Sequence, residues 1–249
     1  MKICSAHQPA FMPWLGLVHK IMTSDVFIIM DIAKFRKRAF MHRNKIEING
    51  KANYFGLKFD DHSDYKTCDL LELEEKNKNC LNEICKKIEH TYIKSKFKNE
   101  ILEFLQKTLI NINNYSFNVI CNNQLRYICE KLSINSEIIL ESSFLSKEEI
   151  KKLGASARLL NHAKHTNSKV YITGINSSDY LDKEIFFKNK IHHLVQKFNY
   201  DPFRSFQKCE DPLSIIHQIA HLGFDNLLNL MKETQINKNK ILNSLNKTS

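Results

Sequence analysis

Val26-Phe27-Ile28-Ile29-Met30 is an unbroken apolar run of strand length. A strand with one wet face alternates apolar and polar residues, so an unbroken run requires cover on both faces, the pattern of a parallel sheet between layers of helix. The residues before it fit that demand. Residues 3–5 read as a short strand, and Leu15, Val18, Ile21 and Met22 recur at helical spacing. Two strands joined by a helix of this length form a right-handed βαβ crossover. The expected fold is α/β, with a mainly parallel sheet opened by a Rossmann-like βαβ N-terminal unit. Short apolar segments at 138–140, 170–172 and 191–198 supply further strands. Helices alternate with them. Ser146 and Glu149 form a capping box for a helix carrying Ile150, Leu153, Ala157, Arg158 and Leu160. Asp211-Pro212 places an N-cap and a first-turn proline before a helix that stops at Gly223.

Two segments depart from this alternation. Ile46 and Ile48, the Asn49-Gly50 turn and renewed alternation over 53–59 predict a β-hairpin. Apolar stripes at helical spacing run from Leu81 to Tyr92, from Phe97 to Leu109 and from Cys121 to Leu132, giving a helical insertion over about 80–132 with a break near Lys94-Ser95. Cys121 and Cys129 read as small core hydrophobes on that pattern. Residues 60–79 are polar and predict a loop with a short strand. One domain over 1–235 is expected, followed by a polar tail, 236–249, that frays.

The chemistry concentrates where the first strand hands over to the first helix. His7-Gln8-Pro9-Ala10-Phe11-Met12-Pro13-Trp14-Leu15-Gly16 holds two of the four prolines and the single tryptophan. Proline fixes its own φ and pushes the preceding residue toward extended geometry, so this is a shaped loop. His7 and Gln8 leave the carboxyl end of a strand, where open α/β sheets bind ligands. Asp31, at the end of the second strand, falls on the same sheet edge and is placed to orient His7. Trp14 is a candidate to contact substrate; the plainer reading of His7 is a loop residue that pins the strand end, and of Trp14 a core ring. Residues 34–45 then interleave six Lys and Arg with aromatics, and Lys37, Arg38, Arg43 and Asn44 are candidates to hold phosphate or carboxylate. Glu141-Ser142-Ser143 follows a strand, Arg158 lies on a helix, and Thr173-Gly174 ends another strand, so Ser142, Arg158, Thr173 and Gly174 join the candidate substrate-binding set.

The formal net charge of +10 invites nucleic acid, membrane surface or phosphorylated substrates. Lys, Asn and Ile are frequent throughout, however, so the charge alone argues for none of these. Seven scattered cysteines with no CxxC pair suggest neither a disulfide framework nor a zinc ribbon, and point to a reducing, cytoplasmic compartment. No signal peptide or bilayer-length apolar run is expected. His217-Gln218-Ile219-Ala220-His221 resembles a zinc-protease helix but has Gln218 where a glutamate base would stand, so no metal site is assigned. The residues name no cofactor, and no GxSxG elbow or P-loop is present.

His7-Gln8-Pro9, Pro13-Trp14-Leu15-Gly16, Lys20-Ile21, Asp25-Val26-Phe27, Asp31, Lys37-Arg38 and Arg43-Asn44-Lys45-Ile46 occur in one order and spacing. Through them the first fifty residues resemble the WbqC-like protein family. Weaker echoes at Ser142-Ser143, Arg158-Leu159, Tyr171-Ile172-Thr173-Gly174, Tyr180-Leu181-Asp182 and Leu213-Ser214-Ile215-Ile216 extend the resemblance over most of the chain, and add Tyr180 to the candidate site. The family pattern differs at Phe40, His217 and His221. The resemblance implies a role in bacterial surface-polysaccharide (O-antigen-type) biosynthesis, with transfer of glycyl or another acyl or aminoacyl group to a nucleotide-activated amino sugar. Such an enzyme would use His7 as general base, with Gln8 or backbone N–H groups at the oxyanion. Its partners would be a nucleotide sugar and an acyl donor, with tRNA, a carrier protein thioester, or amino acid plus ATP left open. The alternative is a non-catalytic sugar-nucleotide binding or assembly module.

Overall fold

The computed structural model describes residues 1–37, 39–60, 63, 66–177 and 181–246. Strand β1 (Ile3–His7) leads through the proline loop into helix α1 (Leu15–Met22) and back into β2 (Val26–Ile29), which pairs with β1 in parallel, His7 opposite Ile29. The hairpin follows as β3 (Arg43–Ile48) and β4 (Lys51–Gly56), and Asn49 and Gly50 both turn at positive φ, as the two central residues of a tight hairpin turn require. Between residues 60 and 79 the described residues form only short 3-10 turns and single bridges, Lys34 to Thr67 and Glu72 to Ser116, where a short strand was expected. The helical insertion comprises α2 (Asn79–Thr91), α3 (Lys98–Leu105), a π-turn over Gln106–Ile110, and α4 (Phe117–Lys131).

The sheet then resumes. Its remaining elements are β5 (Glu137–Leu140), α5 (Lys147–Lys152), α6 (Ala155–His165), β6 (Val170–Thr173), α7 (Lys183–Lys188), β7 (His192–Val195) and α8 (Asp201–Arg204). Helices α9 (Ile215–Thr234) and α10 (Lys238–Asn246) complete the chain. The five parallel strands lie in the order β5-β2-β1-β6-β7. The apolar run divides as its period demands. Val26 and Ile28 pack with Cys4 and Tyr171 against Leu160 and Ala163 of α6 and Phe186 of α7, whereas Phe27 and Ile29 face Leu17 and Ile21 of α1 and Leu125 and Cys129 of α4. Each such side chain contributes roughly 1.5–3 kcal/mol by leaving water, so the run alone commits the chain to two helical layers.

Three boundaries differ from the sequence expectation. The capping box at Ser146 and Glu149 is present, but it opens the short α5, and extended geometry at Leu153 separates that helix from α6. Helix α9 begins at Ile215 and is capped by Ser214, because Ser214 N–H donates to the Lys45 carbonyl (2.8 Å) and Ile215 N–H to the Pro13 carbonyl (2.8 Å), holding the chain extended past Asp211-Pro212. Asp211 instead pairs with Lys45 at 2.5 Å. Gly223 breaks the helical geometry at φ +71° without ending the helix: the Phe224 N–H donates to the Glu100 carboxylate at 2.8 Å, and the helix resumes. The tail expected to fray forms α10, whose Leu245 packs on Ile3, Val170 and Ile172 while Lys238 pairs with Asp25. No helix among the described residues is long and apolar enough to cross a membrane.

Candidate functional site

From β1 the chain moves outward to β2 and β5 on one side, and β6 and β7 extend the sheet on the other. The carboxyl ends of β1 and β6 therefore lie where the direction of winding reverses, the place at which open α/β sheets leave a crevice. A two-lobed cleft opens there. His7, Lys20, Gly174 and Ser177 line both lobes. The larger, about 650 Å³, is walled by Trp14, Leu17, Phe198 and Tyr200 with the amides of Gln196 and Gln235; the smaller, about 490 Å³, by Gln8, Arg36, Arg158, Tyr171 and Thr173.

His7 ends β1 with its Nδ1 2.7 Å from the Gln8 carbonyl. A carbonyl only accepts, so Nδ1 carries the proton and Nε2 keeps its lone pair. Trp14 meets the imidazole edge-on, with centroids 5.3 Å apart. Burial, and next the charge of Lys20, push the imidazole down to about 4 against a smaller opposing pull from the Gln8 carbonyl, so His7 is neutral at pH 7. Its basicity is thus lower than that of an ordinary histidine.

Lys20 lies on α1, 5% exposed, and its Nζ donates at 3.4 Å to the Ala6 carbonyl. Burial draws the ammonium down to about 8. No carboxylate lines either lobe among the described residues, whereas Lys20, Arg36, Arg158 and Lys197 do. Arg158 differs from Lys20. Its Nε donates to Glu141 at 2.6 Å and a second guanidinium nitrogen to the other carboxylate oxygen. Glu141 is fully buried and also accepts from His162 Nε2 at 2.7 Å, and His162 Nδ1 is 3.1 Å from the Tyr171 hydroxyl. Burial alone would raise the Glu141 carboxyl, but the hydrogen bonds from Arg158 and His162 outweigh it and the net shift is downward.

The cleft gathers His7, Gln8, Trp14, Arg158, Thr173 and Gly174 from the predicted set. Thr173 is turned into the sheet, its hydroxyl 2.9 Å from His193 Nε2. Asp31 reaches the expected edge, but its carboxylate accepts from both the backbone N–H (3.0 Å) and the hydroxyl (2.6 Å) of Ser142. Asp31 therefore holds Ser142 and does not orient His7. Asn44 is buried and spends its amide on the Met12 carbonyl, bracing the proline loop. Arg43 lies over the Tyr54 ring at 4.8 Å on the hairpin, and the Lys37 carbonyl accepts from His42; neither Arg43 nor Lys37 lines a lobe. Arg38 and Tyr180 lie outside the described residues.

Lys20, Arg36, Gln196 and Tyr200 are site residues that sequence reasoning missed. For Lys20 a signal existed: only His19 and Lys20 among the eight residues of α1 are polar, so the helix has no polar stripe for its lysine, and seven of the eight are buried. Gln196 comes from beyond β7, where its amide spans the Gly16 carbonyl (2.6 Å) and His19 Nδ1 (3.1 Å). At the His217–His221 turn both nitrogens of His217 are engaged, Nδ1 by the Tyr92 hydroxyl (3.0 Å) and Nε2 by the Phe206 carbonyl (2.9 Å), leaving no lone pair for a metal. The cysteines of the core are buried with thiols pushed up, Cys129 to about 12, as small hydrophobes are.

The sequence model of the WbqC-like protein family matches residues 8–229. The chain is also similar to the uncharacterized protein Rv1507c of Mycobacterium tuberculosis, at 21% identity over 227 residues, 90% of this chain and 95% of that protein. No solved structure matches it significantly.

Proposed function

The chain belongs to the WbqC-like protein family, and we propose that it is a transferase of bacterial surface-polysaccharide assembly that moves an acyl or aminoacyl group, such as glycyl, onto the amine of a nucleotide-activated sugar. The observation that carries this reading is the bare Nε2 of His7 at the meeting point of two lobes, one aromatic and amide-lined, the other cationic. Two lobes accommodate two substrates, and in this reading His7, which lines both, is the base. In the step proposed, the neutral sugar amine attacks the acyl carbonyl carbon and forms the C–N bond. His7 Nε2 takes the amine proton as the tetrahedral oxyanion collapses, the bond to the donor's leaving group breaks, and the proton passes to that group. In this reading the amide of Gln8, a residue that lines the smaller lobe, donates to the oxyanion.

A second reading has one observation behind it. An imidazole held near 4 is a weak base, which suits a module that binds a sugar nucleotide without turning it over. Incubation with amino-sugar nucleotides and each donor class, followed by mass spectrometry of the sugar, separates the two. A mass gain of one acyl unit, lost in His7→Ala, supports the transferase; heat protection by the nucleotide sugar without any mass gain supports the module.

A further inference from the structure

Lys20 is a buried cation with no counter-charge among the described residues. Its one described hydrogen bond, to the Ala6 carbonyl, is long at 3.4 Å, and the groups that face it add positive charge or none. Lining the lobes with it are neutral His7 from β1, Arg36 from the segment after β2, Arg158 from α6, already committed to Glu141, and Lys197 and Tyr200 from the chain beyond β7. The turn after β6 adds no described charge there, and at Gly174 even a methyl would come within 3.7 Å of the ammonium, so the missing side chain keeps the space beside Nζ open. An unpaired buried ammonium costs stability, and the low-dielectric surroundings that make it costly make an incoming anion strongly bound.

We propose that Lys20 is the seat of a phosphate of the ligand, held at the junction of the two lobes beside His7 and shared with Arg36. This inference rests on the transferase reading for the identity of the phosphate's owner, a nucleotide sugar, but not for the existence of the subsite. Phosphate suits it better than a carboxylate because two cations with no carboxylate partner among the described residues, from α1 and from the segment after β2, line the small lobe and a polyanion satisfies both. A second consequence concerns His7. Burial is the main cause that holds its imidazole neutral and the Lys20 charge the next, so an anion on Lys20 removes that second contribution and raises the basicity of Nε2 when the ligand is in place.

The test is calorimetric titration of UDP, whose phosphates are fully ionised at about pH 8.5, into the wild-type protein in buffers of different ionisation enthalpy. Lys20 is partly deprotonated at that pH, so seating a phosphate on it takes up protons, and none are expected from Lys20 at about pH 6.5. Lys20→Met, of similar length and apolar, is expected to bind UDP at least about tenfold more weakly and to lose the proton uptake. Gly174→Ala, which adds one methyl beside Nζ, guards against loss of fold in the first variant and is expected to weaken UDP several-fold without a lowered melting temperature. Equal affinity in Lys20→Met, or binding of uridine as tight as UDP, would overturn the proposal. Neither a donor nor turnover enters this titration, so the subsite stands if acyl transfer fails, and falls alone if transfer persists without UDP binding.

Discussion

Arg158 and Lys20 each bring a cation to the same cleft, and the fold treats them in opposite ways. Arg158 is gripped by both oxygens of a fully buried carboxylate, which His162 grips in turn, and Tyr171 closes the chain. Lys20 is more deeply buried than Arg158, yet among the described residues it has a single distant carbonyl. A paired charge is a finished piece of architecture. A buried ammonium with no carboxylate beside it favours an incoming anion, and this difference sorts structural from functional cations more sharply than burial does.

The largest break in this contrast comes from Glu141→Ala. Removing the shared carboxylate leaves Arg158 and His162 facing each other uncompensated, and the loss expected is ~3–5 kcal/mol in urea denaturation; a loss near zero would show the network to be ornamental. Because the Glu141 carboxyl titrates below its ordinary range in the folded state, the unfolded state takes up the proton first on acidification. Its contribution is present above the ordinary carboxylate range and disappears as pH falls through the folded value, so the wild type, but not Glu141→Ala, should show this acid-dependent loss.

Lys20→Met should act in the opposite direction. The folded ammonium, at about 8, lies below its unfolded value, so at pH 7 both states are charged and only the folded one bears the desolvation cost. The variant is expected to be more stable at pH 7 by ~1–3 kcal/mol. Between about pH 8 and the unfolded value the unfolded state holds the extra proton, wild-type stability rises with pH, and the gap should close by about pH 10.5. Melting curves at both pH values decide it: a less stable Lys20→Met would make Lys20 a structural residue.

The fold was legible because its determinants are periodic. The run from Val26 to Met30 states its two covered faces outright, and Asn49-Gly50 states its turn. The site was legible in part. That His7 and Asp31 share a sheet edge follows from strand and helix lengths, but which way the Asp31 carboxylate points depends on Ser142, which β5 brings in from more than a hundred residues away. Among the six basic residues of 34–45, nothing periodic distinguishes Arg36, which faces the cleft, from Arg43, which lies on the hairpin. Asp211-Pro212 misled because a local helix-start signal was overridden by a bridge between Ser214 and Trp14.

Smaller effects sharpen the contrast from its edges. Asp31→Asn keeps an acceptor for Ser142 but loses the charge-assisted bond, and should cost ~1–2 kcal/mol in stability while leaving the titration of His7, followed by its ring-proton resonances, unchanged; a shift there would return Asp31 to the site. Arg43→Lys keeps a cation over Tyr54, so a change below ~1 kcal/mol in stability and none in UDP affinity is expected. Weaker UDP binding in that variant would extend the cationic lobe onto the hairpin.

Strand β1 is central to the sheet, yet its neighbour β6 lies more than 160 residues along the chain. At ~5–20 residues per second of synthesis, roughly ten to thirty seconds separate the two from the ribosome. Throughout that interval β1 and β2 can pair while one side of β1 carries a bare, apolar, hydrogen-bond-hungry edge, the kind on which other nascent chains nucleate aggregates. The same long-range closure that forms the cleft therefore makes it late to exist, and makes the newborn chain a client for whatever shields strand edges during translation.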